Sequence, residues 1–264
     1  MATTHETTVT SFATSKKRSG RLYLLLCIVL ICATIAFGAV VYTSIGQQVK
    51  QQMGDKCLGI ASSIAAVLEQ DPESFRYFID TLDTSTEYYQ RMQALVEEVR
   101  WGKNRDNIAF LYVENRVSET DMVHLFANTI PNTDHYATAG LVNPLTPTRT
   151  LAYETQQPVV GDWVTTEWGT LLSAYVPVFD SRNGEFMAIV GCDVSDVQYR
   201  EVMSPLLTLL LGGLALIIAL MVFLFFRLNR ENRLLEELNE MTRSAADAKS
   251  NFLASMSHEM RTPL

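Results

Sequence analysis

The residue types with chemistry to offer are unevenly placed along this 264-residue chain. At its carboxyl end, KSNFLASMSHEMRTPL sets His258 beside Glu259, with Thr262 and Pro263 close behind. An imidazole is largely neutral near pH 7 and nucleophilic, so His258 can attack an electrophile and pass on a proton. Thr262 follows four residues later, on the same face of a helix. A zinc reading of His258-Glu259 fails, because the metalloprotease pattern needs a second histidine where Thr262 stands. Pro263 removes a backbone donor and should bend a helix there.

A second, looser set lies in the middle of the chain. Arg149, in a proline-rich stretch, either holds a carboxylate through its paired donors or is an ordinary exposed arginine. Tyr112, Tyr153, Trp163, Trp168 and Tyr175 either line a pocket or serve as core. His124 and His135 lack the spacing of a metal pair, so no metal site is expected. Cys57 and Cys192 form one disulfide or none, because spacing alone does not establish contact. Cys27 and Cys32 sit in apolar sequence and read as filler.

Two apolar runs frame this middle segment. Residues 22–42 and 206–226 are each 21 residues long and carry no charge. At about 1.5 Å per helical residue, each spans roughly 31 Å, the thickness of a bilayer's hydrocarbon core. Lys16, Lys17, Arg18 and Arg21 precede the first, and Arg227, Arg230 and Arg233 follow the second. Excess basic residues mark the cytoplasmic side, so both ends are expected in the cytoplasm and residues 43–205 outside. The alternative for the first run, a cleaved signal peptide, also exports the middle segment.

That segment holds 11 Lys+Arg against 22 Asp+Glu, a net charge of −11, which argues against a nucleic-acid partner. It is either a solvated surface or an acidic face for divalent ions. Residues 1–21 read as a disordered cytoplasmic tail, rich in Thr and Ser with a basic membrane-proximal end.

After the first span, apolar residues at Ile45, Val49, Met53, Cys57, Ile60 and Ile64 recur at helical spacing. Asp71-Pro72 should end that helix, and two more follow over 72–82 and 86–101. The pattern then changes: 107–115, 121–129, 169–180 and 185–195 are rich in β-branched and aromatic residues and read as strands. The last two flank Ser181-Arg182-Asn183-Gly184, a turn that predicts an antiparallel hairpin. Residues 130–168 read mostly as loop, with a short helix around Thr150–Thr155. The expectation is an α+β domain with an antiparallel sheet.

Beyond the second span, Leu234, Met241 and Ala248 repeat at seven, as do Leu238, Ala245 and Phe252. Such a seam predicts either a parallel homodimer over 227–249 or one amphipathic helix on another surface.

The closing hairpin, YVPVFDSRNGEFMAIVGCDVS, resembles the final strands of the extracytoplasmic PAS-like sensor domains called Cache, here over 43–205 as a single module. The resemblance implies a small-molecule or ion ligand and places Asp193 where such domains meet a ligand's amine, although an aspartate ending a strand is also an ordinary turn former. The terminal stretch, 250–264, closely resembles the phosphoacceptor box that begins the dimerisation domain of sensor histidine kinases. That likeness implies His258 as phosphoacceptor, Glu259 as general base and Thr262 as the residue positioning water for dephosphorylation of a response regulator. It further implies ATP and Mg2+ held by a domain not contained in these residues, so the chain is expected to be an amino-terminal portion, inactive alone, of a kinase in the bacterial cytoplasmic membrane. A chemoreceptor-like or truncated non-enzymatic receptor is the alternative, told apart by what the coding sequence holds after Leu264. A diguanylate cyclase would leave the terminal box without a purpose.

Overall fold

The structure is a computed structural model that describes residues 3–102, 108–128, 139–166 and 168–259. It divides into two units: Val41–Leu206, and Met1–Val40 with Leu207–Leu264.

In the first unit, helix α1 (Thr3–Leu68) buries Cys57, Ala61, Ile64, Ala65 and Leu68 along one stripe, at the spacing the sequence predicts. Asp71 then caps α2 (Pro72–Thr81): its carboxylate accepts from the Ser74 amide at 3.2 Å, while Pro72 opens the helix with a residue that needs no donor. Leu82 closes it with φ +50°. Thr86 caps α3 (Glu87–Trp101) in the same way through Tyr89 N at 3.2 Å. Phe75 and Phe78, fully buried, gather with Tyr89 around Phe126, and such rings contribute roughly 1.5–3 kcal/mol each on burial.

The strands are β1 (Phe110–Arg116), β2 (Asp121–Ala127), β3 (Val142–Pro144), β4 (Val159–Thr166), β5 (Gly169–Phe179) and β6 (Phe186–Ser195). They form one antiparallel sheet in the order β3-β2-β1-β6-β5-β4. Helix α4 (Pro147–Thr155) links β3 to β4. The β5–β6 hairpin turns where the sequence predicts, with Gly184 at φ +75° and the Asp180 carboxylate accepting from the Arg182 amide at 2.9 Å.

Alternation along the central strands assigns the two faces. Leu111 and Val113 of β1, Leu172, Ala174 and Val176 of β5, and Val190, Cys192 and Val194 of β6 pack against α1, α2 and α3. Tyr112, Tyr175 and Ile189 point the other way, into a smaller cluster with Ala152 and Tyr153 of α4. Both faces of the middle of the sheet are therefore covered. Cys57 and Cys192 meet in the larger core as free thiols, and their hydrogen bond and then burial push the Cys192 thiol well above its ordinary range.

The structure departs from the sequence expectation in two places. Residues 130–168 are expected mostly as loop, but they contribute β3 and the eight-residue β4. β4 is an edge strand with alternating half-buried and exposed residues and a glycine in its middle, so it lacks the continuous apolar run that marks a central strand. The expected disordered tail over 1–21 is instead helical from Thr3, in register with the span it leads into; extending an existing helix gains one hydrogen bond per residue fixed.

In the second unit, parts of α1 and of α5 (Asp196–Glu259) are long and apolar enough to cross a membrane, by length and composition. Phe37, Leu209 and Leu216 are exposed there, an apolar surface suited to lipid rather than water. The Tyr23 hydroxyl donates to the Met221 carbonyl at 3.1 Å, and its ring stacks on Phe225 with centroids 6.0 Å apart.

Candidate functional site

A cavity of about 680 Å3 opens on the α4 side of the sheet, within the range usual for small-molecule sites. Strand alternation supplies its floor: Phe110 and Tyr112 from β1, Ser173 and Tyr175 from β5, and Asp193 from β6. Helix α4 supplies Arg149, and the apolar rim includes Val164 and Trp168.

Asp193 lies at the centre. Phe110 and Ser173 are its cross-strand partners, and the Ser173 hydroxyl hydrogen-bonds its carboxylate. Tyr112 donates its hydroxyl to Asp193 Oδ1 at 3.0 Å and meets the Tyr175 hydroxyl at 3.3 Å. Burial raises the Asp193 carboxyl above its ordinary range, with Ser173, Arg149 and Tyr112 opposing. One residue makes this arrangement possible. A Cβ on Gly191 would come within 2.1 Å of Tyr112 Cε2, so only glycine leaves room for the Tyr112 ring beside the sheet.

Arg149 stands over both tyrosine rings, its guanidinium carbon 5.7 Å from the Tyr112 centroid and 5.8 Å from that of Tyr175. Its Nη2 reaches the Tyr112 hydroxyl at 3.5 Å. The backbone places it: Thr146 caps α4, accepting from the Arg149 amide at 3.4 Å, and Pro147 follows the cap. Behind the guanidinium, Nε lies 3.1 Å from Oε2 of Glu114, a fully buried carboxylate on β1. The contact is close but poorly aligned, a charge pair more than a full hydrogen bond, and it still pulls the carboxyl down against burial. Burial raises the Glu114 carboxyl to about 7, with Arg149 pulling the other way.

His124 on β2 completes the group. Asn143 Nδ2 lies 3.0 Å from its Nε2, so Nε2 accepts and the proton sits on Nδ1, which faces Glu114 Oε1 at 3.6 Å. Burial and then Arg149 lower the imidazole to about 4, and it is neutral at physiological pH.

Of the residues singled out by type, Asp193, Arg149, Tyr112, Tyr175 and Trp168 come together on this cavity. Tyr153 does not line it; its ring packs edge-on against Phe186 at 5.8 Å, and its hydroxyl is buried without a partner among the described residues. Trp163 packs against the main core and Tyr199. His135 and Thr262 lie outside the described residues, as do the side chains of His258 and Glu259, whose backbone ends α5. Among the described residues no cluster of His, Cys, Asp or Glu could hold a metal ion. Glu114, Ser173 and Gly191 escape a reading by residue type. Glu114 shares a strand face with Phe110 and Tyr112 at two-residue steps, and that periodicity is the signal that could have found it.

No protein-family model and no curated protein matches the sequence. Solved structures with a similar course include the extracellular domain of the candidate histidine kinase mmHK1S-Z3, at 17% identity and TM-score 0.38, covering 63% of this chain and 60% of that one. The ligand-binding domain of Mlp24 with asparagine follows at 15% and 0.37, covering 64% and 61%. That of the Pseudomonas aeruginosa PAO1 amino-acid chemoreceptor PctC with GABA stands at 15% and 0.32, covering 65% and 61%. The structures that this chain resembles are thus sensor domains of histidine kinases and chemoreceptors, and the chain spans about 60% of each. Likeness at these TM-scores is loose, and no ligand is carried over from it.

Proposed function

We propose that the Val41–Leu206 unit is an extracytoplasmic sensor domain for a small organic ligand that carries an ammonium group. The observation that supports this reading is the convergence of Asp193, Arg149 and two tyrosine rings on one cavity of about 680 Å3. A buried carboxylate flanked by aromatic faces favours an organic cation, and the Arg149 Nη groups offer a second handle for a ligand that also bears a carboxylate. Basic residues on the far side of each apolar run support an extracytoplasmic position for this unit.

The chain is, in this reading, the receiving part of a homodimeric histidine kinase of the bacterial cytoplasmic membrane. His258 takes the phosphoryl group, Glu259 accepts its proton and Thr262 orients water when the response regulator is dephosphorylated. ATP and Mg2+ are requirements of that chemistry, and no described residues cluster to hold a metal. Ligand binding biases the two helices that leave the sensor unit, α1 and α5, between two arrangements. A non-enzymatic receptor could use the same sensor unit, and the output is decided separately. In membranes carrying the intact gene product, His258→Gln should abolish labelling from ATP, and labelling that persists would end the kinase assignment.

For the sensor, the test is the melting temperature of the full chain in lipid nanodiscs against amines, amino acids, carboxylates and divalent cations. A ligand at 100 times its dissociation constant adds about 2.7 kcal/mol. Stabilisation by ammonium compounds that Asp193→Asn removes supports the reading, and a response to divalent cations alone would contradict it.

A further inference from the structure

We infer that Glu114 decides which ligand charge the cavity accepts: by holding Arg149 from behind and cancelling its charge, it selects organic ammonium compounds and zwitterions over simple carboxylates. This rests on the sensor reading above and concerns the same cavity.

The charges decide it. The buried charges are one guanidinium, Arg149, and two carboxylates, Asp193 on the cavity and Glu114 directly behind Arg149; Asp162 also lines the wall, but it is exposed and paired with Lys50, so it weighs little. His124 is neutral and adds nothing. With both carboxylates ionised the group carries one net negative charge in a setting where few hydrogen bonds offset it. An incoming ammonium cancels that charge, a zwitterion leaves it unchanged and a monocarboxylate doubles it. Without Glu114 the Arg149 charge would balance Asp193, and a carboxylate would be met by an unopposed guanidinium. A fully buried carboxylate without a well-aligned hydrogen bond among the described residues is costly, and an amide of the same shape would fill the space.

Protonation offers a second handle on the same selection. The groups with charges that act on Glu114, or that Glu114 acts on, are Tyr112 on its own strand, Arg149 and Tyr153 of α4, Tyr175 of β5 and Asp193 of β6, with His124 of β2 in contact. Burial keeps the three tyrosines protonated across the neutral range, while it raises both carboxyls, Glu114 to about 7. An arriving ammonium favours ionised Glu114 and is bound more tightly as pH rises. An arriving carboxylate favours the neutral acid and is bound more tightly as pH falls.

The experiment uses three probes of one chain length: n-hexylamine, L-norleucine and hexanoate. Their affinities are measured by calorimetry on the full chain in nanodiscs, for the native protein and for Glu114→Gln and Asp193→Asn. The native protein should bind hexylamine at least tenfold more tightly than hexanoate, and that ratio should widen between pH 6 and 8. In Glu114→Gln the ratio should fall at least tenfold, chiefly by a gain for hexanoate, and its pH slope should flatten. A role in positioning Arg149 alone would weaken norleucine and hexanoate while leaving hexylamine as it was, and that result overturns the inference. So does a native ratio that is flat across pH 6–8, a readout that stands even should Glu114→Gln not fold. If Asp193→Asn abolishes hexylamine binding while Glu114→Gln leaves the ratio intact, the inference fails and the sensor reading survives. Binding of none of the probes to the native protein, or hexylamine binding indifferent to Asp193→Asn, overturns both.

Discussion

Tyr112 can reach Asp193 because residue 191 has no side chain. Gly191→Ala should displace the ring, break its 3.0 Å bond to Asp193 and cost about 1–3 kcal/mol through overpacking, measurable as a lowered melting temperature together with lost ligand response. Glu114 makes a prediction of its own. Its carboxyl is raised from 4.5 to about 7, so between these values the folded chain keeps a proton that the unfolded chain has released. The associated stability is complete below about pH 4.5 and lost as pH rises through about 7, and Asp193 acts in the same direction. Melting at pH 5 and pH 7.5 should therefore differ less in Glu114→Gln than in the native protein, by an amount on the order of 3 kcal/mol at most. Asp193, Arg149, Tyr112 and Tyr175 could be picked from the sequence one at a time because their types are suggestive. Glu114 could not be picked by type, since a carboxylate between a buried valine and an asparagine reads as a solvent-facing position; only its strand period with Phe110 and Tyr112 points to the cavity face.

At the scale of elements, α4 is the piece that brings Arg149 to the cavity, and its amino-terminal cap fixes its first turn. Thr146→Ala should cost about 1 kcal/mol in stability and weaken any ligand that uses Arg149, checked by melting and by titration of norleucine. β4 closes the opposite wall. It is tied to α1 by the Lys50–Asp162 ion pair, exposed and of small energetic weight, and by the close approach of Gly54 to Val160. The wall of the cavity therefore touches the helix that leads to the first span. Strands β1, β2, β5 and β6 and the three short helices follow from periodicity and from Asp71-Pro72, Thr86 and Asn183-Gly184. β4 does not, because VVGDWVTT owes its strand conformation to pairing with β5 rather than to an apolar pattern of its own.

At the scale of the molecule, the two apolar runs and their basic flanks are legible in the sequence, since run length and flanking charge are local features that a bilayer selects. The cavity is not, because its walls come from β1, β4, β5, β6 and α4, brought together across more than eighty residues of chain. The exposed stripe Leu234, Leu238, Met241 and Phe252 on α5 carries the dimer proposal. Leu238→Asp should reduce cross-linking between two copies in membranes without altering ligand response, and undiminished cross-linking would remove the seam from the interface. The central claim is that the Asp193 cavity receives an organic ammonium ligand, and calorimetry of n-hexylamine against the full chain in nanodiscs, native and Asp193→Asn, tests it most directly. The account predicts saturable binding to the native protein that the substitution weakens at least tenfold; equal binding to both, or binding to neither, contradicts it.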